Sequence, residues 1–131
     1  VTEREQDIFR KMLRTMYRFE GIGLAAPQVG ISERLIVADI GEGAVALANP
    51  KIIKKEGSAE LVEGCLSIPS AQVNVVRSYK ITVEGVDEKG ARQEMKVKGL
   101  LARVLQHEID HLEGKLIIDY LPWWERINLK T

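Results

Sequence analysis

Cysteine, histidine and aromatic residues are all scarce: the 131 residues include one cysteine, two histidines and 5% aromatics. A lone cysteine, Cys65, excludes an internal disulfide and with it the stapled scaffolds of oxidising compartments, so a reducing, cytoplasmic setting is expected. Excess charge is missing too. Nineteen basic residues cancel nineteen acidic ones, which removes the electrostatic footprint of a general nucleic-acid or membrane-surface binder. No apolar run approaches the roughly 20 residues of a membrane span, and no signal-peptide layout is present. Nucleic acid and membrane are therefore not expected as partners. What remains is enough to fold: a chain of this length buries about two-thirds of the surface its unfolded form exposes, so a bound metal would serve function rather than folding.

The pattern reads α, then mostly β, then α. Thr2 and Glu5 make a capping-box pair, and Ile8, Phe9, Met12, Leu13, Met16 and Tyr17 recur at helical spacing. A first helix over Glu3 to Glu20 is predicted, with Gly21 as its left-handed end. Gly21 to Gln28 is too rich in glycine and small residues for a regular element. Strands are expected at Arg34–Ala38 and Val45–Ala48, forming a hairpin around Gly41-Glu42-Gly43, and at Lys51–Glu56, Val73–Arg77, Lys80–Gly85 and Ala91–Lys98. Asp87-Glu88-Lys89-Gly90 is a turn sequence between the last two. From Leu100 the helical period returns, with Leu101, Leu105 and Leu112 as an apolar stripe and Gly114 as the C-terminal cap.

Both histidines lie on this second helix, in His107-Glu108-Ile109-Asp110-His111. Residues i and i+4 stack one turn apart, so two imidazoles can converge on one cation while Glu108 reaches a water beside it. A third ligand is still required. No other histidine exists, and Glu113, Asp119 and Glu125 have no distinguishing context. Cys65 is the better candidate, in the stiff segment Glu63-Gly64-Cys65-Leu66-Ser67-Ile68-Pro69, which is expected to be irregular rather than mid-strand. Leu100, Val104, His107 and His111 are related by steps of three and four, so Leu100 and Val104 either line a pocket beside the metal or pack in the core. Such a site suits hydrolysis of a carbonyl compound.

Three segments together resemble one family closely, the peptide deformylases: Gly21-Ile22-Gly23-Leu24-Ala25-Ala26-Pro27-Gln28, Glu63-Gly64-Cys65-Leu66-Ser67 and Gln106-His107-Glu108-Ile109-Asp110-His111-Leu112-Glu113-Gly114. Their order and separation also match. The resemblance implies an α+β fold, with antiparallel β-sheets packed around a central helix carrying HExxH and with an N-terminal helix. It implies a single catalytic domain over residues 1–131, without the family's usual strand before the first helix and without a long C-terminal helix. The implied activity is metal-dependent removal of the formyl group from the N-terminal formylmethionine of nascent chains. Cys65, His107 and His111 would be the ligands of one divalent metal, Fe2+ in the native state with Zn2+, Ni2+ or Co2+ able to replace it. Glu108 would be general base and acid. The Gln28 side-chain amide and the Leu66 backbone N–H would donate to the oxyanion, while Ile22, Gly23, Gly64, Leu100 and Val104 would receive the substrate. Gly23 would let the substrate backbone pass close, and residues 21–24 would pair with the peptide as an added strand.

Formylmethionyl peptides at the ribosome are the partners so implied, with a monomer or weak dimer expected. Trp123 and Trp124 either cover the sheet or join a dimer contact. Arg103 stands where many relatives carry an apolar residue and is expected at the pocket rim, snorkelling outward. Arg77 and Asp110 are either a buried ion pair orienting the ligand helix or two solvated charges. An HExxH peptidase of the general type, or a non-catalytic metal-stabilised binding domain, are the alternatives; Cys65 argues against the first, and Glu108 with Gln28 against the second.

Overall fold

A computed structural model describes residues 1–65 and 68–114, and within 61–73 the side chain of Glu63 alone. The expectations for Leu66, Asp119, Trp123, Trp124 and Glu125, and for the side chain of Cys65, lie outside the described residues. The order of elements is α1 (Glu3–Arg18), β1 (Gly23–Ala25), a 3₁₀ turn (Ala26–Val29), β2 (Leu35–Ala38), β3 (Val45–Glu56), β4 (Ala59–Cys65), β5 (Ile68–Arg77), β6 (Lys80–Val86), β7 (Arg92–Lys98) and α2 (Gly99–Leu112). Strands β1-β2-β3-β6-β7 form one antiparallel sheet, and β4 pairs with β5 in a separate antiparallel ribbon. This is the expected α+β arrangement.

The period-2 alternation of strands decides which helix covers which face. Leu35 and Val37 of β2 join Ile8, Phe9, Met12 and Met16 of α1 in one apolar cluster. Ile36 and Ala38 join Ala102, Val104, Leu105 and Ile109 of α2 in the other. All four residues of β2 are buried because each face of the strand has a helix against it. Helix α2 is thereby clamped on the sheet by its apolar stripe, leaving its remaining side for the site.

Several expectations need correction. Helix α1 ends at Arg18, and its left-handed residue is Glu20 (φ 55°), not Gly21. Glu20 N–H donates to Tyr17 O at 3.1 Å and Gly21 N–H to Met16 O at 2.9 Å, the paired bonds of a Schellman ending. The Thr2 hydroxyl donates to the Glu5 carboxylate, and no Thr2 side-chain bond caps the helix. β1 is a regular strand: Gly23, Leu24 and Ala25 pair with Ala38, Val37 and Ile36. β3 runs unbroken through Pro50, where two strands were expected. The register shifts between Ala48 and Lys51, and Asn49 takes φ 51°, so a bulge accommodates the proline that has no N–H to give. β4 was not anticipated, since acids at Glu60 and Glu63 obscure its alternation. Cys65 is its last residue and pairs with Ile68 after an irregularity that begins at Glu63, so the cysteine lies in a bulged strand rather than outside regular pairing.

Candidate metal centre

Helix α2 is built of good helix formers between two left-handed glycines, Gly99 (φ 64°) and Gly114 (φ 76°). Gly99 N–H donates to Tyr79 O at 2.8 Å and ties the start of α2 to the region between β5 and β6; Gly114 N–H closes its end on His111 O at 3.1 Å. One turn apart on this rigid element, His107 and His111 bring their Nε2 atoms to 3.1 Å, with ring centroids 4.8 Å apart. Ligand atoms of His107, Glu108 and His111 all lie within 4.8 Å of one another.

Two nitrogens bound at about 2.0–2.1 Å to a tetrahedral ion are separated by about 3.3 Å, so the observed spacing fits a shared cation. The tautomer fits as well. His107 Nδ1 lies 2.7 Å from Glu63 Oε1, and a proton shared with that carboxylate leaves the Nε2 lone pair directed toward His111.

Glu63 is the residue that sequence reasoning missed, although it stood in a quoted motif. It is 8% exposed. Its carboxylate takes Arg77 Nε at 2.6 Å and Arg77 Nη2 at 2.8 Å, with Arg103 Nη1 at 2.5 Å. Burial alone would raise the Glu63 carboxyl, but the hydrogen bonds from His107 and Arg77, and the charge of Arg77, outweigh it and hold the group at about 2. Burial likewise opposes the Arg77 charge, and the bonds to Glu63 and Asp110 more than offset it, raising the guanidinium above its ordinary value. Arg77 Nη1 donates to Asp110 Oδ2 at 2.7 Å, so of the two readings the ion pair is the one the structure has, and it reaches into α2. Nothing in one isolated sequence distinguishes a buried acid such as Glu63 from a solvated one.

Arg103 is not at a rim. It is 7% exposed; Nη1 serves Glu63 and, at 3.2 Å, Val75 O, while Nη2 reaches Val75 O at 2.8 Å and Ala59 O at 3.0 Å. Buried acceptors in the ribbon, lying over its helix position, pull it inward. Gln106 adds a further tie, donating Nε2 to Ser78 O at 2.8 Å and accepting Ser78 N–H at 3.0 Å.

Glu108 is buried against β1. A Cβ on Gly23 would stand 2.6 Å from Glu108 Oε2 and 2.7 Å from Val104 Cγ1, so this position is glycine because side chains from α2 press on it. Gln28 lies on the 3₁₀ turn beyond β1, and its Oε1 accepts Ala25 N–H at 2.8 Å. That bond fixes the amide plane and assigns the donor NH2 to the other side. Val104 is buried, whereas Ile22 and Leu100 are 43% and 48% exposed. Gly64 lies within β4.

Residues 1–126 match the family model described as polypeptide deformylase. The chain is 49% identical over 112 residues to a peptide deformylase of Carboxydothermus hydrogenoformans, covering 86% of this chain and 74% of that protein. It is 48% identical over 121 residues to one from Halothermothrix orenii, covering 91% and 79%. Among solved structures, the peptide deformylase of Legionella pneumophila superposes with a TM-score of 0.92 at 44% identity, covering 98% of this chain and 78% of that one. The Ehrlichia chaffeensis enzyme in complex with actinonin gives 0.93 at 36% identity, covering 98% and 80%.

Proposed function

The chain belongs to the polypeptide deformylase family, and on that premise we propose that Cys65, His107 and His111 hold one divalent metal ion in a single catalytic domain over residues 1–131. The reaction is hydrolysis of the formyl amide of N-terminal formylmethionine, with release of formate. The observation that carries the site assignment is the convergence of His107 and His111 Nε2 at 3.1 Å beside the buried Glu108. When bound, the metal supplies Lewis acidity, which lowers the pKa of water toward about 7 and polarises the formyl oxygen. Ferrous iron is the resident we assign; zinc, nickel and cobalt suit the same thiolate and imidazole donors.

Each residue then has a task its position supports. Glu108 takes the proton of the attacking water and returns it to the departing amine, as its place within the histidine cluster allows. The NH2 of Gln28, set by the bond to Ala25, and the backbone N–H of Leu66 donate to the oxygen that gains charge as the formyl carbon becomes tetrahedral. Val104 with Ile22, Gly23, Gly64 and Leu100 receives the methionine end, contributing about 0.8 kcal/mol per buried methylene, enough to favour methionine over short side chains. Peptides emerging from the ribosome are the substrates, and the working form is a cytoplasmic monomer or weak dimer. Among the described residues no helix is long and apolar enough to cross a membrane.

Formate release from a formylmethionyl peptide by anaerobically iron-loaded protein tests the reading, with Glu108→Ala as control. The expected loss in the variant is at least about 10²-fold, the lower end for a general acid–base group. Equal formate from both proteins would reject the assignment of Glu108, and cleavage of an internal peptide bond would favour a peptidase. Metal analysis of protein purified anaerobically without added metal decides the resident ion.

A further inference from the structure

The ribbon β4–β5 carries Cys65 yet shares no strand pairing with the five-stranded sheet. Val75, its fully buried apolar residue among those described, belongs to neither of the two apolar clusters. Polar contacts tie the ribbon to α2: Glu63 to His107, Arg77 to Asp110, and Arg103 to three acceptors. Arg103 reaches the backbone of both strands. Its two terminal nitrogens are divided among Ala59 O and Glu63 on β4 and Val75 O on β5, and the residue sits one helical turn before His107. A planar fork spans such a set of acceptors, whereas a single ammonium does not.

We propose that Arg103 is a positioning residue of this enzyme: its guanidinium fastens the ribbon that bears Cys65 to the helix that bears His107 and His111, and so sets the distance between the thiolate and the imidazoles. The inference rests on those three residues being the ligands. Its chemistry is a geometric clamp, so the fork matters and positive charge alone does not suffice. Such a residue governs metal retention and turnover and leaves the methionine pocket unaltered, the opposite of what a rim residue would do.

The experiment compares wild type, Arg103→Lys and Arg103→Met, each loaded with cobalt(II) as spectroscopic probe. Wild type should give thiolate-to-cobalt charge transfer; its absence would reject the ligand assignment itself and is separate from the fate of Arg103. Both variants should bind cobalt about 10- to 100-fold more weakly in chelator competition, with a weakened charge-transfer band. They should also lose kcat by a comparable factor, while KM for a formylmethionyl peptide stays within about twofold, since positioning acts on the transition state rather than on uniform binding. Recovery of wild-type affinity and kcat in Arg103→Lys would overturn the clamp, because charge would then suffice. A changed KM with unchanged kcat would return Arg103 to the pocket. Variants unfolded both with and without cobalt would reduce Arg103 to a purely structural role and overturn the proposal.

Discussion

At the residue scale the site depends on close approach as much as on functional groups. Gly23 illustrates this, because its φ is not in the left-handed region and a larger residue would be conformationally free to occupy it. What forbids a side chain is the contact with Glu108 and Val104, at 2.6 and 2.7 Å from an added Cβ. Gly23→Ala must therefore push Glu108, the proposed base, or the helix away. Displacement of a catalytic group by a fraction of an ångström to 1 Å costs on the order of 10²-fold in rate, and overpacking about 1–3 kcal/mol in stability. The expected result is a fall in kcat/KM of that order together with a lower melting temperature. Wild-type values for both would show that the helix yields at no cost. The glycine-rich segment is legible as unusual in the sequence, but its reason is not: freedom for substrate to pass is the natural reading, and the pressure from α2 becomes visible only when the chain is folded. Glu63 and Arg103 teach the same lesson, since burial reverses the ordinary expectation that isolated charges are solvated.

At the element scale the helices were the most legible parts. The apolar stripes of α1 and α2 select their buried faces, and the errors fall at ends and interruptions. Glu20 occupies φ 55° where Gly21 was expected to turn the chain, because the two bonds of the helix ending fix which residue is left-handed. A non-glycine residue there costs about 1–2 kcal/mol, and glycine returns about 0.5–1 kcal/mol of that through its looser unfolded state. Glu20→Gly should consequently stabilise the protein by about 0.5 kcal/mol, read as a higher denaturant midpoint at unchanged slope; a lower midpoint would contradict the conformational argument. Strand β3 escaped recognition for a related reason. Pro50 is a breaker in isolation, yet the adjacent left-handed Asn49 and the bulge allow pairing with β6 to resume at Lys51.

At the scale of the whole molecule, a sheet with a helix on each face holds α2 rigid, and a polar network brings the ribbon onto it. Among the described residues, the apolar clusters of the sheet do not include His107 or His111, so removing metal should leave the secondary structure intact while lowering stability. For free metal at about a hundredfold excess over its dissociation constant, binding contributes about 2.7 kcal/mol, which is about 10 °C in melting temperature for a domain of this size. A chelator should produce that drop with little change in far-ultraviolet circular dichroism, and Cys65→Ala should abolish most of the difference. A circular dichroism spectrum that collapses on chelation would mean that the metal holds the fold itself. The sequence by itself determined the order of helix, strands and helix, the paired histidines with their glutamate and the three motifs whose resemblance implies the α+β class, since these follow from periodicity and from residues adjacent along the chain. The tertiary structure alone decided that Glu63 orients His107, that Arg103 turns inward and that Gly23 must stay small. Those facts depend on which groups lose water together, and residues as distant in sequence as Ala59 and Arg103 acquire that shared environment only by folding.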